Sequence, residues 1–358
     1  MKGKAPKLSL IGMFARLHCP LAHCSMFHMA MDLKRTRACL LTMAILFALK
    51  ARMALLALLC WNGREHMRVL VTGGAGFLGS SLVEHLLELD DEVVVLDNFW
   101  RGKPENLEHI LEKITLIESD ASEVSSYGLI KDPSSIDVVY HLAAINGTKW
   151  FHEEARMVMD VNLNSTLRAI EFAEQYRCRF VFTSSPEAYG NSEVMPLGHL
   201  ESSLFTHPSH HQRHAYGGSK YLGELAVQHA VRQGLDGRVV RPFNGYGPRL
   251  SQDEYGQVVT MMMRSALDSS LVNVHGDGKQ TRCLTWVDDI VQGIALSGRV
   301  DSCLKTGESL SGRSFNLGSA EEISMLELGK TICDLVHEKT GVLVQVEMTE
   351  GYPGDSLR

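Results

Sequence analysis

The sequence lacks two features that would direct it toward other functional classes. None of its eight cysteines forms a C-x-x-C pair, and their spacing gives no disulfide framework, which indicates reduced thiols in a reducing compartment. Basic residues show no excess, because 35 Lys and Arg stand against 42 Asp and Glu and give a net charge of −7. Nucleic acid is therefore not an expected partner, and the protein is predicted to be cytoplasmic.

An uninterrupted apolar run long enough to cross a membrane is also missing. Ala38–Leu49 is apolar, but Lys50 and Arg52 interrupt the run before Met53–Trp61 resumes it. A spanning helix needs about 20 apolar residues. Two central cations would cost roughly 2.5–3.5 kcal/mol each on insertion. An anchor through residues 38–61 is thus kept only as the alternative to a cytoplasmic protein.

Residues 1–66 differ in composition from the rest of the chain. Up to Cys60 they carry nine Lys and Arg against a single acid, Asp32, and show little periodic pattern. A basic, acid-poor segment is also typical of a transit peptide. We favour an extension that is flexible or not part of the fold, because a strand pattern begins immediately after Met67.

The strongest motif in the chain is RVLVTGGAGFLGS, at residues 68–80. A short apolar run suited to a buried strand is followed by Gly73, Gly76 and Gly79 and then by leucines at helical spacing. The first glycine permits a tight turn, the second lets backbone approach a pyrophosphate, and the third lets the helix pack on the strand. Strand, glycine turn and helix together predict a dinucleotide-binding site at the helix N-terminus.

An acidic residue stands where such a site needs one. Asp97 ends a second predicted strand, 92–96, and lies 24 positions after Gly73, near the ~20-residue spacing of the acid that binds the adenosine ribose hydroxyls. A carboxylate there repels a ribose phosphate, which favours NAD over NADP, although Arg101 and Lys103 nearby argue the other way.

Strand and helix patterns alternate from Met67 onward, which predicts a Rossmann-type doubly wound parallel sheet. Further strands are predicted at 114–117, 137–141, 180–182 and 238–240, and long helices at 158–176 and 215–232. After Pro242 the pattern becomes irregular. We therefore predict an α/β protein with a cofactor domain at 67–242 and a smaller, mainly substrate-binding part at 243–358.

Three side chains suit acid–base chemistry at this sheet. Tyr216 and Lys220 lie four apart on a predicted helix and so share one face. An ammonium beside a phenol favours the phenolate and lowers a pKa that is otherwise ~10. Ser185 follows a predicted strand, where its hydroxyl can hydrogen-bond the same substrate oxygen.

The order of several motifs resembles the extended short-chain dehydrogenase/reductase superfamily, and within it the NAD-dependent nucleotide-sugar epimerases and dehydratases. The motifs are TGGAGFLG (72–79), LDN (96–98), HLAA (141–144), TSSPEAYG (183–190), YGGSK (216–220), RPFNGYGPR (241–249), HGDGKQTRCLTWVDDIVQGI (275–294) and FNLGSAEEISMLEL (315–328). The resemblance covers essentially Met67 to the C-terminus.

The resemblance implies a role for each motif. The catalytic residues would be Ser185, Tyr216, Lys220 and Glu187. The residues along NAD would be Gly73, Gly76, Phe77, Leu78, Gly79, Asp97, Asn98, Asp120, Ala121, Leu142, Ala143, Ala144, Asn162, Tyr216 and Lys220. Asn244 and Arg282 would face a sugar diphosphate, and a guanidinium suits phosphate oxygens. No metal is expected.

The implied reaction begins with transient oxidation of a nucleotide-sugar by NAD. Epimerisation through a keto-sugar needs only Ser185, Tyr216 and Lys220, and is our leading expectation. A dehydratase or decarboxylase using Glu187 is the alternative, although Pro186 replaces the acid that the resemblance predicts for 4,6-dehydration. A non-catalytic NAD-binding subunit is a third reading. The chain ends soon after Gly351, where relatives continue, so the C-terminal part is expected to be truncated.

Two further expectations concern partners. The resemblance implies a homodimer that pairs through the helices at 158–176 and 215–232. His207, His210, His211 and His214 precede Tyr216 with a spacing that could bind a metal, but no Cys or acid completes a set, and a solvated loop is the expected outcome.

Removal of residues 1–66 tests where the fold begins. We expect protein starting at Met67 to be soluble and to bind NAD as the full chain does, because the first strand pattern starts there. Equilibrium dialysis with NAD would measure this, and loss of folding or of binding would contradict it.

Overall fold

The computed structural model describes residues 66–192, 194–210, 214–250, 257–303 and 306–350, and all of them belong to one compact unit, Trp61–Arg358. Apart from His66, the predicted extension at 1–66 and its alternative anchor at 38–61 lie outside the described residues.

A seven-stranded parallel sheet forms the centre of this unit, as the alternating pattern predicts. Its spatial order is β3-β2-β1-β4-β5-β6-β11. The strands are β1 (Arg68–Thr72), β2 (Glu92–Asp97), β3 (Ile114–Glu118), β4 (Val138–His141), β5 (Arg179–Thr183), β6 (Gly237–Pro242) and β11 (Ser314–Leu317). The strand order reverses between β1 and β4, and in open parallel sheets ligands bind beside the carboxyl ends at such a point.

Helices cover both faces of the sheet because its strands are apolar on both sides. Val69 and Val71 of β1 pack into one core with α1 (Phe77–Glu88) and α7 (Val287–Arg299). Leu70 packs into the other core with α4 (Ala155–Tyr176) and α5 (His214–Arg232). Strands buried on both faces read as continuous apolar runs, which is the pattern of residues 69–71.

The remaining helices and strands are short or lie after residue 242. They are α2 (Val124–Tyr127), α3 (Thr148–Glu153), β7 (Gly245–Tyr246), α6 (Val258–Ser269), β8 (Leu271–His275), β9 (Thr281–Arg282), β10 (Thr285–Trp286), β12 (Ile323–Ser324), α8 (Met325–Thr340) and β13 (Gln345–Thr349). Short 3₁₀ turns include Pro104–Asn106, Glu108–Lys113 and Pro186–Tyr189.

The chain beyond residue 242 serves two structures. One is a small module in which β8 and β13 pair in parallel and pack with α6 and α8 around a separate apolar core. The other is the main sheet, because β11 pairs with β6 and α7 packs against α1. The segment predicted to be mainly substrate-binding therefore also supplies the seventh strand and one covering helix.

The helices predicted to pair two copies correspond to α4 and α5, and dimerisation stays a prediction. Among the described residues, no helix combines the length and the apolar character that crossing a membrane requires.

A matched pair of glycine substitutions tests the packing of α7. A Cβ at Gly298 would lie 2.2 Å from the hydroxyl of Tyr140, whose ring is fully buried, whereas a Cβ at Gly218 in α5 meets nothing within 4 Å. We expect Gly298→Ala to lower the free energy of unfolding by about 1–3 kcal/mol through overpacking. Gly218→Ala should instead raise it by about 0.5–1 kcal/mol, since alanine favours helix. Urea denaturation measures both, and equal effects of the two changes would show that α7 is not packed as described.

Candidate active site

One cleft of about 2050 Å³ runs along the carboxyl ends of the strands at the reversal point. Sites for one small ligand usually measure about 300–1,000 Å³. The cleft is therefore larger than a site for one small ligand and leaves room for a second molecule beside a dinucleotide. Except for Asn162, every residue that the sequence predicts for catalysis, cofactor or substrate lines this cleft.

The glycine turn adopts the predicted geometry. Gly73 has a φ of +72°, a left-handed conformation that favours glycine, and its Cβ would lie 2.6 Å from the amide nitrogen of Ala143. A Cβ at Gly79 would lie 2.0 Å from the carbonyl oxygen of Gly73, so α1 can approach β1 only with glycine there. A Cβ at Gly76 would come no closer than 3.3 Å to its nearest neighbour. Gly76 caps α1 at the cleft, which leaves room for a phosphate at the helix N-terminus.

Asp97 borders the cleft and also holds the glycine turn in place. Its two carboxylate oxygens accept hydrogen bonds from the amide groups of Ala75 and Phe99, each at 2.8 Å. Burial raises the pKa of this carboxyl, while the two amide bonds work in the opposite direction. A carboxylate oxygen can accept a further bond, so Asp97 fits the predicted contact with ribose hydroxyls.

The next part of this wall is formed by Asn98, Asp120 and Ala121. The Asn98 amide donates a 2.8 Å hydrogen bond to the Asp120 carboxylate, which also accepts from the backbone and hydroxyl of Ser122. This network fixes the turn after β3 against the turn after β2, where an adenine is predicted.

Asn162 differs from the prediction of direct cofactor contact. It is 2% exposed and does not line the cleft. Its side-chain oxygen accepts a 2.6 Å hydrogen bond from the amide of Ile145, and its nitrogen lies 3.2 Å from the Ile145 carbonyl. Asn162 thus holds the backbone that follows Leu142, Ala143 and Ala144. Its side-chain nitrogen also lies 3.3 Å from the hydroxyl of Ser219 on α5.

Ser185 and Tyr216 come together as the sequence predicts. Ser185 follows β5, and its hydroxyl accepts from the amide of Glu187 at 3.2 Å, which caps the turn Pro186–Tyr189. Tyr216 is near the start of α5, hydrogen-bonded to Ser185, and its ring stacks on Phe151 of α3 with centroids 4.8 Å apart. The two hydroxyls can therefore contact one substrate oxygen.

Lys220 is fully enclosed one turn along α5. Its ammonium donates a 2.8 Å hydrogen bond to the carbonyl of Thr183 and lies 5.0 Å from the centre of the Phe182 ring. Burial lowers the pKa of Lys220 to about 7, with the negative charge of Glu224 working against the shift.

The predicted lowering of the Tyr216 pKa is wrong for this structure. Burial raises that pKa, the Glu187 carboxylate raises it further, and only the hydrogen bond to Ser185 opposes them. The Lys220 nitrogen is 5.8 Å from the centre of the Tyr216 ring and is bonded to a carbonyl instead. Tyr216 is consequently a protonated hydrogen-bond donor until a positive charge arrives beside it.

Glu187 lies in the cleft next to this group. It is half-buried in the turn Pro186–Tyr189, and the backbone of that turn packs so tightly on α5 that a Cβ at Gly217 would lie 2.4 Å from the Glu187 carbonyl. Its charge acts on Tyr216, so the carboxylate and the phenol belong to one site.

The substrate side of the cleft includes Asn244 and Arg282, as expected. Asn244 donates a 3.2 Å hydrogen bond to the carbonyl of Cys283, and Arg282 bonds the carbonyl of Thr281. Both side chains line the cleft, and their contact with a sugar diphosphate stays a prediction.

A buried hydrogen-bond network beneath the turn Pro186–Tyr189 was not predicted from the sequence. Glu224 accepts from the Ser184 hydroxyl at 2.5 Å and forms a two-point ion pair with Arg241 at 2.5 and 2.8 Å. Arg241 also donates to the Tyr189 hydroxyl at 2.7 Å. These contacts tie α5, β5, β6 and the turn Pro186–Tyr189 together. Glu224 sits four residues after Lys220, a spacing that could have indicated a shared helix face.

The histidine cluster gives no metal site among the described residues. The ring of His207 lies 2.7 Å from the Ser209 hydroxyl, and that of His214 lies 2.9 Å from the Thr206 hydroxyl. His211 lies outside the described residues.

A protein-family model described as the NAD dependent epimerase/dehydratase family matches residues 69–318. Among curated proteins, the chain is 34% identical to UDP-N-acetyl-alpha-D-glucosaminuronate decarboxylase of Bacillus cytotoxicus, over 80% of this chain and 85% of that protein. It is 33% identical to UDP-glucuronic acid decarboxylase 1 of Arabidopsis thaliana, over 76% of this chain and only 59% of that protein.

Solved structures show the same fold. UDP-glucose 4-epimerase of Thermotoga maritima, crystallised with UDP-glucose, is 28% identical with a TM-score of 0.69. The match covers 81% of this chain and 87% of that one.

Replacement of Lys220 by methionine tests its burial. The unfolded chain holds the Lys220 proton up to its usual pKa near 10.5, but the folded chain releases it near 7. Wild-type stability should therefore rise with pH between about 7 and 10.5, relative to Lys220→Met, by at most about 1.4 kcal/mol per pH unit. Denaturation of both proteins at pH 6.5, 7.5 and 9 measures this. Parallel pH profiles would mean that the lysine is solvated.

Proposed function

This chain belongs to the NAD-dependent epimerase/dehydratase family, and from that premise we propose that it is an NAD-dependent decarboxylase of a nucleotide-linked hexuronic acid. The observation that carries the proposal is the Glu187 carboxylate beside Tyr216 and Ser185, in a chain 33–34% identical to curated decarboxylases. Those relatives act on UDP-linked uronic acids by name, so a UDP-sugar is the first substrate to test.

The epimerase expectation is the second candidate. It retains the support of a solved epimerase with the same fold, at 28% identity. Epimerisation requires no carboxylate beyond the Ser185, Tyr216 and Lys220 group. The position of Glu187 and the higher identity to decarboxylases, 33–34% against 28%, favour decarboxylation over the epimerisation expected from the sequence.

The cleft is suited to anionic ligands. Among the described residues that line it, five Lys or Arg side chains carry a charge, against three carboxylates. The basic residues are Arg101, Lys103, Lys149, Arg249 and Arg282, and the acids are Asp97, Asp120 and Glu187. Lys220 also lines the cleft but is not counted, because burial lowers its pKa to about 7. This balance is opposite in sign to the net charge of the whole chain, which is −7. Pyrophosphates and a uronate are the kind of ligand that such a field attracts.

The residues that would hold NAD are the glycine turn, Asp97, the turn at Asp120–Ala121, and the loop Leu142–Ala144. When bound, NAD supplies a hydride acceptor that later returns the same hydride, so it is not consumed.

Tyr216 would accept the proton in the first step as a phenolate. The positive charge of bound NAD would lower the raised pKa of Tyr216, so that the phenol first releases its own proton to solvent. As the hydroxyl of the sugar is oxidised to a ketone, its proton passes to the Tyr216 oxygen, and the Ser185 hydroxyl donates to the new carbonyl. Lys220 holds the end of β5 through Thr183 and keeps Tyr216 and Ser185 in register. General acid–base catalysis of this kind contributes about 10²–10⁴-fold to the rate.

Carbon dioxide is lost because the ketone lies β to the sugar carboxylate. The carbon–carbon bond to the carboxylate breaks, and its electron pair forms an enolate whose oxygen faces Ser185 and Tyr216. Glu187, after taking up a proton from solvent, then delivers it to the carbon that lost carbon dioxide. The ketone is reduced back to an alcohol, and Tyr216 returns to the alcohol oxygen the proton it accepted in the first step. In sum, a uronate and one proton yield a pentose and carbon dioxide.

A non-catalytic subunit is the remaining reading. A protein that only binds NAD does not need a buried lysine beside a buried tyrosine. Burial of these polar groups destabilises the fold, so their presence favours a catalytic role.

Anaerobic incubation with UDP-glucuronate, UDP-N-acetylglucosaminuronate and UDP-glucose separates the candidates. We expect a product lighter by one carbon dioxide from a uronate, with UDP-glucose unchanged, as read by mass spectrometry. A product of unchanged mass and altered stereochemistry, read by NMR, would favour the epimerase. NAD binding without any turnover would favour the non-catalytic subunit.

Two conservative variants assign the roles. Tyr216→Phe should reduce turnover by about 10²–10⁴-fold with no NADH formed, because the first proton has no acceptor. Glu187→Gln should still form NADH on adding the uronate but complete the cycle about 10²-fold more slowly, because the enolate lacks its acid. Full turnover by Glu187→Gln would remove that residue from the mechanism.

A further inference from the structure

We propose that Glu84, Asn106, His109 and Arg249 form a clasp at the rim of the cleft that slows the release of NAD. These four residues are called the rim clasp below. The inference concerns cofactor retention and does not depend on which reaction the enzyme performs.

One carboxylate joins three separate parts of the chain. Glu84 lies on α1, the helix that starts at the glycine turn, and Arg249 lies three residues after β7. One Glu84 oxygen accepts from the Arg249 guanidinium, and the other lies 2.5 Å from Nε2 of His109 in the turn Glu108–Lys113. The contact therefore links α1, the turn Glu108–Lys113 and the segment after β7.

The clasp also reaches the backbone of the glycine turn. The carbonyl of Asn106 lies 3.5 Å from Nη1 of Arg249, and the Asn106 side chain donates a 2.8 Å hydrogen bond to the carbonyl of Ala75. The amide of Ala75 in turn donates to Asp97. A displacement of Arg249 would therefore be transmitted through Asn106 and Ala75 to the glycine turn, which is predicted to hold the pyrophosphate.

The position of these side chains fits a retaining role. Arg249 and Asn106 line the cleft, whereas Glu84 and His109 stand behind them. The Arg249 and Glu84 side chains are 23% and 29% exposed, so water screens their ion pair only in part. An enzyme that returns a hydride to its own intermediate has to keep the dinucleotide through the whole cycle, which a link between α1 and the cleft-lining segment after β7 promotes.

The backbone at Arg249 allows a clean test variant. Its φ is +68°, a left-handed conformation that costs most residues about 1–2 kcal/mol but that asparagine adopts readily. Arg249→Asn therefore removes the guanidinium without adding backbone strain. Glu84→Gln removes the charge of the partner at constant shape.

The experiment measures NAD dissociation from the full chain. Protein loaded with isotopically labelled NAD is mixed with excess unlabelled NAD, and the label that stays bound is followed by rapid desalting and mass spectrometry. We expect Glu84→Gln and Arg249→Asn each to speed NAD dissociation about tenfold. This effect is intermediate between that expected for loss of a buried charged hydrogen bond and that expected for loss of an exposed ion pair. The double variant should accelerate dissociation less than the product of the two single effects, because both single variants remove the Glu84–Arg249 contact.

The matched control is an ion pair of similar type outside the cleft. Glu308→Gln breaks the exposed pair with Arg313 and should leave NAD dissociation unchanged. If Arg249→Asn fails to fold, Arg249→Lys keeps the charge but cannot donate to both Glu84 and Asn106, and should give an intermediate rate. Wild-type dissociation rates in Glu84→Gln and in the folded Arg249 variant would overturn the proposal, as would additive acceleration in the double variant. No sugar is present, so failure of the proposed reaction would not affect this result.

Discussion

The site depends on one costly arrangement, a lysine and a tyrosine one helical turn apart and both removed from water. Burial of Lys220 favours its neutral form, and burial of Tyr216 favours its protonated form. The pair is stable because each member has a specific partner: the Thr183 carbonyl for Lys220 and the Ser185 hydroxyl for Tyr216. Thr183 is the last residue of β5 and Ser185 follows it two positions later. The end of this strand therefore fixes the positions of Lys220 and Tyr216.

The network beneath this pair explains how its geometry is kept. Buried ion pairs are stable only when their remaining polar atoms are satisfied. Glu224 meets that condition through Ser184 and Arg241, and Arg241 through Tyr189. Since Ser184 precedes Ser185 and Tyr189 ends the turn that carries Glu187, the same contacts position two catalytic candidates, Ser185 and Glu187. Rigid support of this kind is what acid–base catalysis requires, because proton transfer tolerates little error in distance.

Local chemistry was predictable from the sequence, and properties that depend on the whole fold were not. Gly73 and Gly79 are required by contacts a few residues away, and the apolar runs of β1 and β2 show burial on both faces, so these elements were predicted to within a residue or two. The return of β11 and α7 to the main sheet joins residues more than 70 positions apart, which no local pattern encodes. For the same reason Asn162 was expected at the cofactor but is buried beneath it, and the Tyr216 pKa moved opposite to the expectation.

The choice between epimerase and decarboxylase illustrates why sequence motifs alone do not determine which reaction an enzyme of this family catalyses. Ser185, Tyr216 and Lys220 are predicted to serve the same oxidation in either case, so their presence carries no information about what happens to the ketone. That outcome depends on whether the sugar bears a carboxylate and on whether an acid stands ready to protonate the enolate. The first is a property of the substrate, and the second rests on a single side chain, Glu187, whose backbone is held against α5 at Gly217. On the proposed function, the outcome therefore depends on one residue of this turn and on the carboxylate of the sugar, while the residues proposed for the oxidation are the same in both reactions.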